Sequence, residues 1–348
     1  NKEIKLRKDK NHIKINSLYD FFKEYKNLPD KFFYMCGVEN IVFISLLDWI
    51  LNFSGGTKIS LQGEGYPSVE IKYFKLLKDL LVYDKIYLLK KILPVLFSKI
   101  IIFSSRINLQ PKPDIFFVQN QKSYLITKKK FKNKKIFKVN NDLIKMINKS
   151  KRNTKNNNKI VFVDQGFENI FDTKLNFFVK KTKLEKNYWD IINKLLNFVP
   201  KKINNNGLVI AAHRRRSRLD TPSNKKFMFD KTYQLIKESK LVFGHESTAL
   251  RLAVLSRKPI IFINLYLFKV YLRSVYLIIN ELAKELGSNI IYIDKNLKLK
   301  GKIKLNKINE KKYKKFEEYY IGFPGLKSYG KSKWKTILKH LEKELIEI

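Results

Sequence analysis

Short apolar runs rich in Val, Ile and Phe alternate with helix-periodic stretches along most of this chain, and that alternation admits few folds. KFFYMCG reads as a strand, VENIVFISLLDWILNF as the helix after it, and TKISLQ as a second strand ending in the turn GEGYPS. KIIIFSS, PDIFFVQ and KKIFKV read as further strands, with the helix KSYLITKKKF between the last two. The segment NKSKRNTKNNNK (Asn148–Lys159) has no apolar residue and reads as a linker. A second alternating set follows it. The strands there are KIVFVDQG, NGLVIAAH, KLVFGH, KPIIFIN and SNIIYID, and the helices are KNYWDIINKLLNFV, FDKTYQLIKES and STALRLAVLSR. Such alternation predicts an α/β fold with parallel sheets and helices on both faces. At 348 residues the chain has room for two such units. The predicted architecture is two Rossmann-like domains facing a cleft, residues 1–150 and 159–330, with a final helix over 331–348 crossing back to the first domain.

Charge narrows the partners. Lys and Arg number 72 against 31 Asp and Glu, a formal net charge of +41. The lysines are spread over the whole length, and Asn, Ile, Phe and Tyr are abundant with them. All these residues have AT-rich codons, so the composition accounts for the charge without a nucleic-acid partner, which would favour a concentrated stripe. An anionic membrane surface stays in play, because such a charge is drawn to it at low salt. The single cysteine, Cys36, excludes a disulfide scaffold and a cysteine-based zinc site, and no metal is expected.

The beginning, NKEIKLRKDKNHIK, has no apolar h-region. No run reaches the about 18 uncharged apolar residues of a spanning helix. Ile86–Phe103 is broken by Lys90, Lys91 and Lys99, and Ile260–Ile279 by Lys269 and Arg273. The first reads as core. The second is held open as an apolar, basic face resting on a membrane. The expected location is cytoplasmic, with peripheral attachment to the inner membrane face as its variant.

In open parallel sheets, ligands bind outside the carboxyl ends of the strands, so the loops there are the candidates. VIAAHRRRSR supplies His213, Arg214, Arg215, Arg216 and Arg218, and LVFGHESTA supplies Gly244, His245, Glu246, Ser247 and Thr248. Guanidinium groups give bidentate phosphate contacts. Hydroxyls and N–H groups at a helix start form an anion site, and Gly244 lets the backbone approach a ligand. Together these loops describe a phosphate or diphosphate pocket. Two further loops carry carboxylates: VFVDQGFEN, with Asp164, and SLQGEGYPS, with Glu64 between two glycines. Either carboxylate could serve as general base. GxxxxGK[ST], GxGxxG after a strand, HExxH and GxSxG are absent, which removes the main support for P-loop kinases, dinucleotide dehydrogenases, zincins and typical α/β-hydrolases.

The order VFVDQG, YWDIINKLL, VIAAHRRRS and TYQLIKESKLVFGHESTALRLAVLSRKPIIFI resembles the C-terminal half of bacterial surface-polysaccharide glycosyltransferases of the GT-B fold. It is similar in particular to the sialyltransferase and polysialyltransferase group that uses CMP-activated donors. The resemblance covers roughly residues 159–264. It implies that His213, matching the histidine of an HP motif, supports the leaving phosphate, and that Ser247 and Thr248 bind the CMP phosphate. Arg214 stands where the group has proline, and the acidic-acidic-Gly triplet that provides its base has only partial counterparts in Asp164-Gln165-Gly166 and Gly63-Glu64-Gly65. Glu64 ranks ahead of Asp164 because its segment sits where a first-half cleft loop belongs. The expected donor-binding set is Arg214, Arg216, Gly244, His245, Ser247 and Thr248.

The resemblance implies an inverting, metal-independent glycosyltransferase with no cofactor beyond a nucleotide-sugar co-substrate. The donor expected is a CMP-sugar of the nonulosonate or Kdo type, and the acceptor a lipid-linked glycan or polysaccharide. Two other readings stand beside it: a teichoic-acid-like glycerophosphotransferase using CDP-glycerol, and a non-catalytic polyanion- or membrane-binding protein.

Overall fold

The structure, a computed structural model, describes residues 32–35, 50–62, 112–149, 159–167, 181–203, 207–214, 216–219, 221–296, 298–301, 303, 307–323, 326 and 332–347. The strand read at KIIIFSS, all but the last four residues of the helix at VENIVFISLLDWILNF, and the stretch Ile86–Phe103 lie outside them. So do Glu64 and most of the polar segment 148–159. The chain divides into two compact units, residues 1–60 with 93–115, and residues 61–92 with 116–348.

In the first unit, β1 (Phe32–Tyr34) and β2 (Gly56–Gln62) pair in parallel, with Phe32 opposite Gly56. The strands that follow, β3 (Ile115–Val118) and β4 (Lys135–Lys138), belong to the second unit from Phe116 onward. All four residues of β3, IFFV, are buried, the unbroken apolar run of a strand covered on both faces. Helix α1 (Gln121–Lys130) follows β3 and is capped by Asn120, whose side chain accepts the Ser123 N–H.

The second unit is built on a seven-stranded sheet of order β11-β10-β9-β8-β5-β6-β7. Its strands are β5 (Lys159–Val163), β6 (Leu208–Ala211), β7 (Lys226–Met228), β8 (Ser239–Gly244), β9 (Ile260–Leu265), β10 (Asn289–Ile293) and β11 (Leu299–Lys300). Every neighbouring pair is parallel except β10 with β11. Val161 of β5 lies opposite Val209 of β6 on one side and Val242 of β8 on the other. The expected α/β class with parallel sheets is therefore the observed one. The short edge strands β7 and β11 escaped the sequence pattern, since at three and two residues neither is long enough to display a period.

Helices between the strands are α2 (Asp142–Lys149), α3 (Lys181–Ile203), α4 (Thr232–Glu238), α5 (Leu250–Leu255), α6 (Tyr266–Tyr271) and α7 (Arg273–Leu286). In α3, Tyr188, Ile192, Leu195 and Val199 recur at helical spacing and are all fully buried. The six residues of β9 are buried throughout, and Phe268, Leu272, Val275 and Ile279 join the same core. Most of the described apolar residues of Ile260–Ile279 are thus spent on the sheet and on the helices that cover it, Tyr266 staying 41% exposed, which argues against that stretch as a membrane-resting face. Among the described residues no helix is long and apolar enough to cross a membrane.

The chain ends with α8 (Glu310–Phe316), a π-helical turn (Glu317–Ile321) and α9 (Lys333–Glu347). Two buried asparagines hold this tail. Asn120 Nδ2 donates to the Tyr320 carbonyl, and Asn140 Oδ1 accepts the Phe323 N–H, each at 3.1 Å. The His340 ring of α9 stacks on Phe137 of β4 at 4.4 Å.

Candidate functional site

The order of the large sheet reverses at β5. The chain runs outward through β6 and β7, then crosses to the other side of β5 and continues with β8, β9 and β10. In doubly wound sheets the crevice at this reversal, outside the carboxyl ends, is the ligand site. The loops after β5, β6 and β8 border it.

The β5 and β6 loops are fastened by a buried ion pair. Asp164 Oδ2 accepts from Arg216 Nε at 2.6 Å and from the His213 N–H at 3.2 Å. Its Oδ1 accepts from the Gly166 N–H at 2.8 Å and from Arg216 Nη2 at 3.3 Å. Neither side chain of the pair is exposed. The guanidinium also lies over the rings of Trp189, at 5.0 Å, and Phe227, at 5.6 Å. A carboxylate holding four donors in a dry site is not poised to take a proton from a substrate hydroxyl, and a guanidinium spent on that carboxylate is not presented to a phosphate. The expectations for Asp164 as base and Arg216 as phosphate ligand give way to a structural clamp.

What the clamp places is His213. Gly166 has φ +59°, and a Cβ there would come 3.2 Å from His213 Nδ1, so the half-buried imidazole rests directly on the glycine of the neighbouring loop. Arg214 is exposed beside it, free of the buried clamp. Arg218 is exposed too, with Nη2 3.2 Å from Asp230.

The β8 loop differs from expectation at three residues. Gly244 makes room for protein, because a Cβ there would lie 3.1 Å from Leu250 Cδ2. His245 is wholly buried. Its Nδ1 lies 2.7 Å from the Ile263 carbonyl, which can only accept, so Nδ1 carries the proton and Nε2 accepts from the Tyr188 hydroxyl at 3.1 Å. Burial pushes its pKa down to about 4, against smaller opposing effects of the Ile263 carbonyl and Asp164. His245 is thus a neutral core residue packed on Phe268 at 4.9 Å, not a donor ligand. Ser247 Oγ accepts the Ala249 N–H, and the N–H groups of Leu250 and Arg251 go to the carbonyls of Ser247 and Thr248. The donors opening the six-residue α5 are therefore consumed within the turn, and the anion site expected of Ser247 and Thr248 reduces to their own side chains, Thr248 being the exposed one.

Glu246 is the residue that the sequence reading left without a role. Burial raises its carboxyl to about 7, partly offset by the Arg251 charge. A carboxyl balanced at neutral pH at the mouth of a parallel sheet fits acid–base work. Its signal in the sequence was position alone, two residues past the apolar run of β8.

A cleft of about 620 Å³ opens beyond the ends of β9 and β10. It is lined by Asp190 and Lys194 of α3, by Tyr266 and Leu267, and by Ile293 to Lys295. That volume suits a ligand of nucleotide size. Tyr266 is 41% exposed there, whereas Asp294 is turned into its own loop, accepting the Asn296 and Lys298 N–H groups. Among the described residues no group of three or more His, Cys, Asp or Glu is arranged to hold a metal ion.

The fold and these loops define an α/β protein with a mostly parallel sheet whose strand order reverses at β5. No family model and no curated protein sequence matches the chain. Among solved structures, Staphylococcus aureus MnaA with UDP is similar at 12% identity over 94% of this chain and 77% of that one, with a TM-score of 0.41. The UDP-GlcNAc 2-epimerase of Methanocaldococcus jannaschii is similar at 12% identity over 85% and 76%, with a TM-score of 0.38. The spinosyn forosaminyltransferase SpnP is similar at 8% identity over 79% and 66%, with a TM-score of 0.34.

Proposed function

We propose that this protein is a GT-B-type glycosyltransferase that binds a nucleotide-activated sugar at the carboxyl ends of its seven-stranded sheet. The observation that carries the reading is the seating of His213 on Gly166 at the strand-order reversal, where the Asp164–Arg216 clamp fixes the two loops that meet there. In this reading residues 1–150 and 159–330 are the acceptor-side and donor-side domains, with 331–348 as the crossing helix.

His213 and Arg214 stabilise the nucleotide phosphate as it departs, and Thr248 and Ser247 contact it through their hydroxyls. The cleft below Tyr266 takes the nucleoside. A carboxylate, Glu64, accepts the proton of the acceptor hydroxyl. The freed oxygen attacks the anomeric carbon, and the bond from that carbon to the phosphate oxygen breaks, releasing the nucleotide. The resemblance in sequence favours CMP as that nucleotide, a nonulosonate or Kdo-type sugar, and a lipid-linked or polysaccharide acceptor.

Thermal unfolding of the full chain with CMP, CDP, UDP, GDP or ADP, repeated with His213→Ala, tests the reading. Stabilisation by one nucleotide, approaching about 2.7 kcal/mol at a hundred times its dissociation constant and lost in the variant, is the expected result. Selectivity for UDP over CMP keeps the transferase and replaces the donor. No response to any of the five, or equal responses that disappear with salt, sinks it.

A further inference from the structure

Helix α9 presents two unlike faces. Its inner face is ordinary: Ile337 and Leu341 are buried, His340 stacks on Phe137, and Glu344 pairs with Lys135. Its outer face is not the uniformly polar surface that a solvated helix carries. Trp334 is 48% exposed and Leu338, one turn later, 56% exposed. Lys335 and Lys339 are exposed on the flank of that face, with Glu342 between them and Leu338, while the exposed Lys343 lies across the helix from Trp334. Lys333 Nζ lies 5.4 Å from the centre of the Trp334 ring. The positive field is felt within the helix, since the His340 pKa is lowered by burial first and then by Lys343 and Lys339, against Glu344.

We propose that this face of α9 docks on an anionic lipid bilayer, with Trp334 and Leu338 in the boundary between headgroups and acyl chains and Lys335 and Lys339 against lipid phosphates. Indole rings favour that boundary, and basic residues beside it gain from the negative surface potential. A nucleic acid would reward the lysines and offer a base to the indole, but an aliphatic Leu338 gains nothing from a phosphate backbone. A second copy of this chain would bring a like charge of +41 against the first. Lysine stems lie along the apolar strip while their ammonium groups stay in water. Most described apolar residues of Ile260–Ile279 are taken up by the core, so the membrane contact falls on a different element from the one hydropathy suggests. The inference goes beyond the nucleotide reading and stands without it.

Sedimentation of the full chain with vesicles of phosphatidylcholine, alone and mixed with phosphatidylglycerol, provides the test, with a single-stranded RNA homopolymer as the competing polyanion. Binding to the mixed vesicles alone is expected. Trp334→Ser with Leu338→Ser weakens it by about tenfold or more and leaves RNA adsorption unchanged. Lys335→Gln and Lys339→Gln weaken it by about fivefold per lysine and flatten its salt dependence. Brominated acyl chains quench the wild-type fluorescence, and Trp334→Phe removes that quenching. The proposal falls if the Trp334/Leu338 variant binds mixed vesicles like the wild type. It falls equally if that variant loses RNA and vesicles alike, or if the wild type binds no vesicle.

Discussion

Arg216 Nε lies 2.6 Å from Oδ2 of Asp164 with both side chains wholly buried, so each charge depends on the other. Removing one partner strands the remaining charge in a dry site, which costs about 3–5 kcal/mol. Asp164→Asn is therefore expected to lower the stability of the chain by that amount in urea-induced unfolding. A variant that unfolds at the wild-type midpoint would show that the pair is solvated in solution.

Gly166 couples this clamp to the imidazole it supports. At φ +59° a side chain costs about 1–2 kcal/mol in backbone strain, and its Cβ would push on His213. Gly287→Ala makes the natural control, because Gly287 has φ +64° but faces Lys312 at the end of α7. Both variants should lose similar stability, while only Gly166→Ala loses the nucleotide-induced rise in Tm. Equal nucleotide responses in the two would detach His213 from the ligand.

The hydroxyl of Tyr188 gives His245 Nε2 its hydrogen bond at 3.1 Å. Tyr188→Phe leaves that nitrogen buried without this donor, at a cost of about 1–3 kcal/mol. The same substitution should leave nucleotide binding intact, because His245 faces the core. Calorimetric titration of the variant with the nucleotide that stabilises the wild type checks this, and a lost affinity at unchanged fold would return His245 to the site.

The fold was more legible in the sequence than the site, for a physical reason. Strands such as β6 (LVIA) and the IIFI of β9 are covered on both faces, and short unbroken apolar runs of this kind, bounded by turn residues, are what such strands show in sequence. Strands β7 and β11 lack that signature because they are short edges. At the site, residue type was visible and direction was not. His213 and His245 both follow buried strands, yet one rests on a glycine at the crevice and the other points between β9 and α3. Asp164 and Arg216 looked like a base and an anion ligand because each is suited to that work, and only the fold shows them spending it on each other. Glu246 is the converse case, since desolvation gives it a property that its letter does not carry.

His245 and Glu246, adjacent in sequence, tie the stability of the chain to pH in opposite senses. Burial holds the folded-state pKa of His245 down to about 4, below its ordinary 6.5. The unfolded chain then binds the extra proton, so this stability is present above 6.5 and lost as pH falls through about 4. Burial lifts the folded-state pKa of Glu246 to about 7, above its ordinary 4.5. The folded chain holds that proton, so this stability is present below 4.5 and lost as pH rises through about 7. Each shift corresponds to about 3 kcal/mol at most, and between 4.5 and 6.5 the two slopes oppose each other. Glu246→Gln should therefore gain stability over the wild type as pH rises across this window, by about 1–3 kcal/mol. His245→Asn should lose its dependence below 6.5 and keep only the fall caused by Glu246. Urea midpoints for both variants and the wild type, taken at steps across the window, decide the matter. Difference curves that are flat, or that share one sign, would mean that neither group is as desolvated as its position in the β8 loop requires.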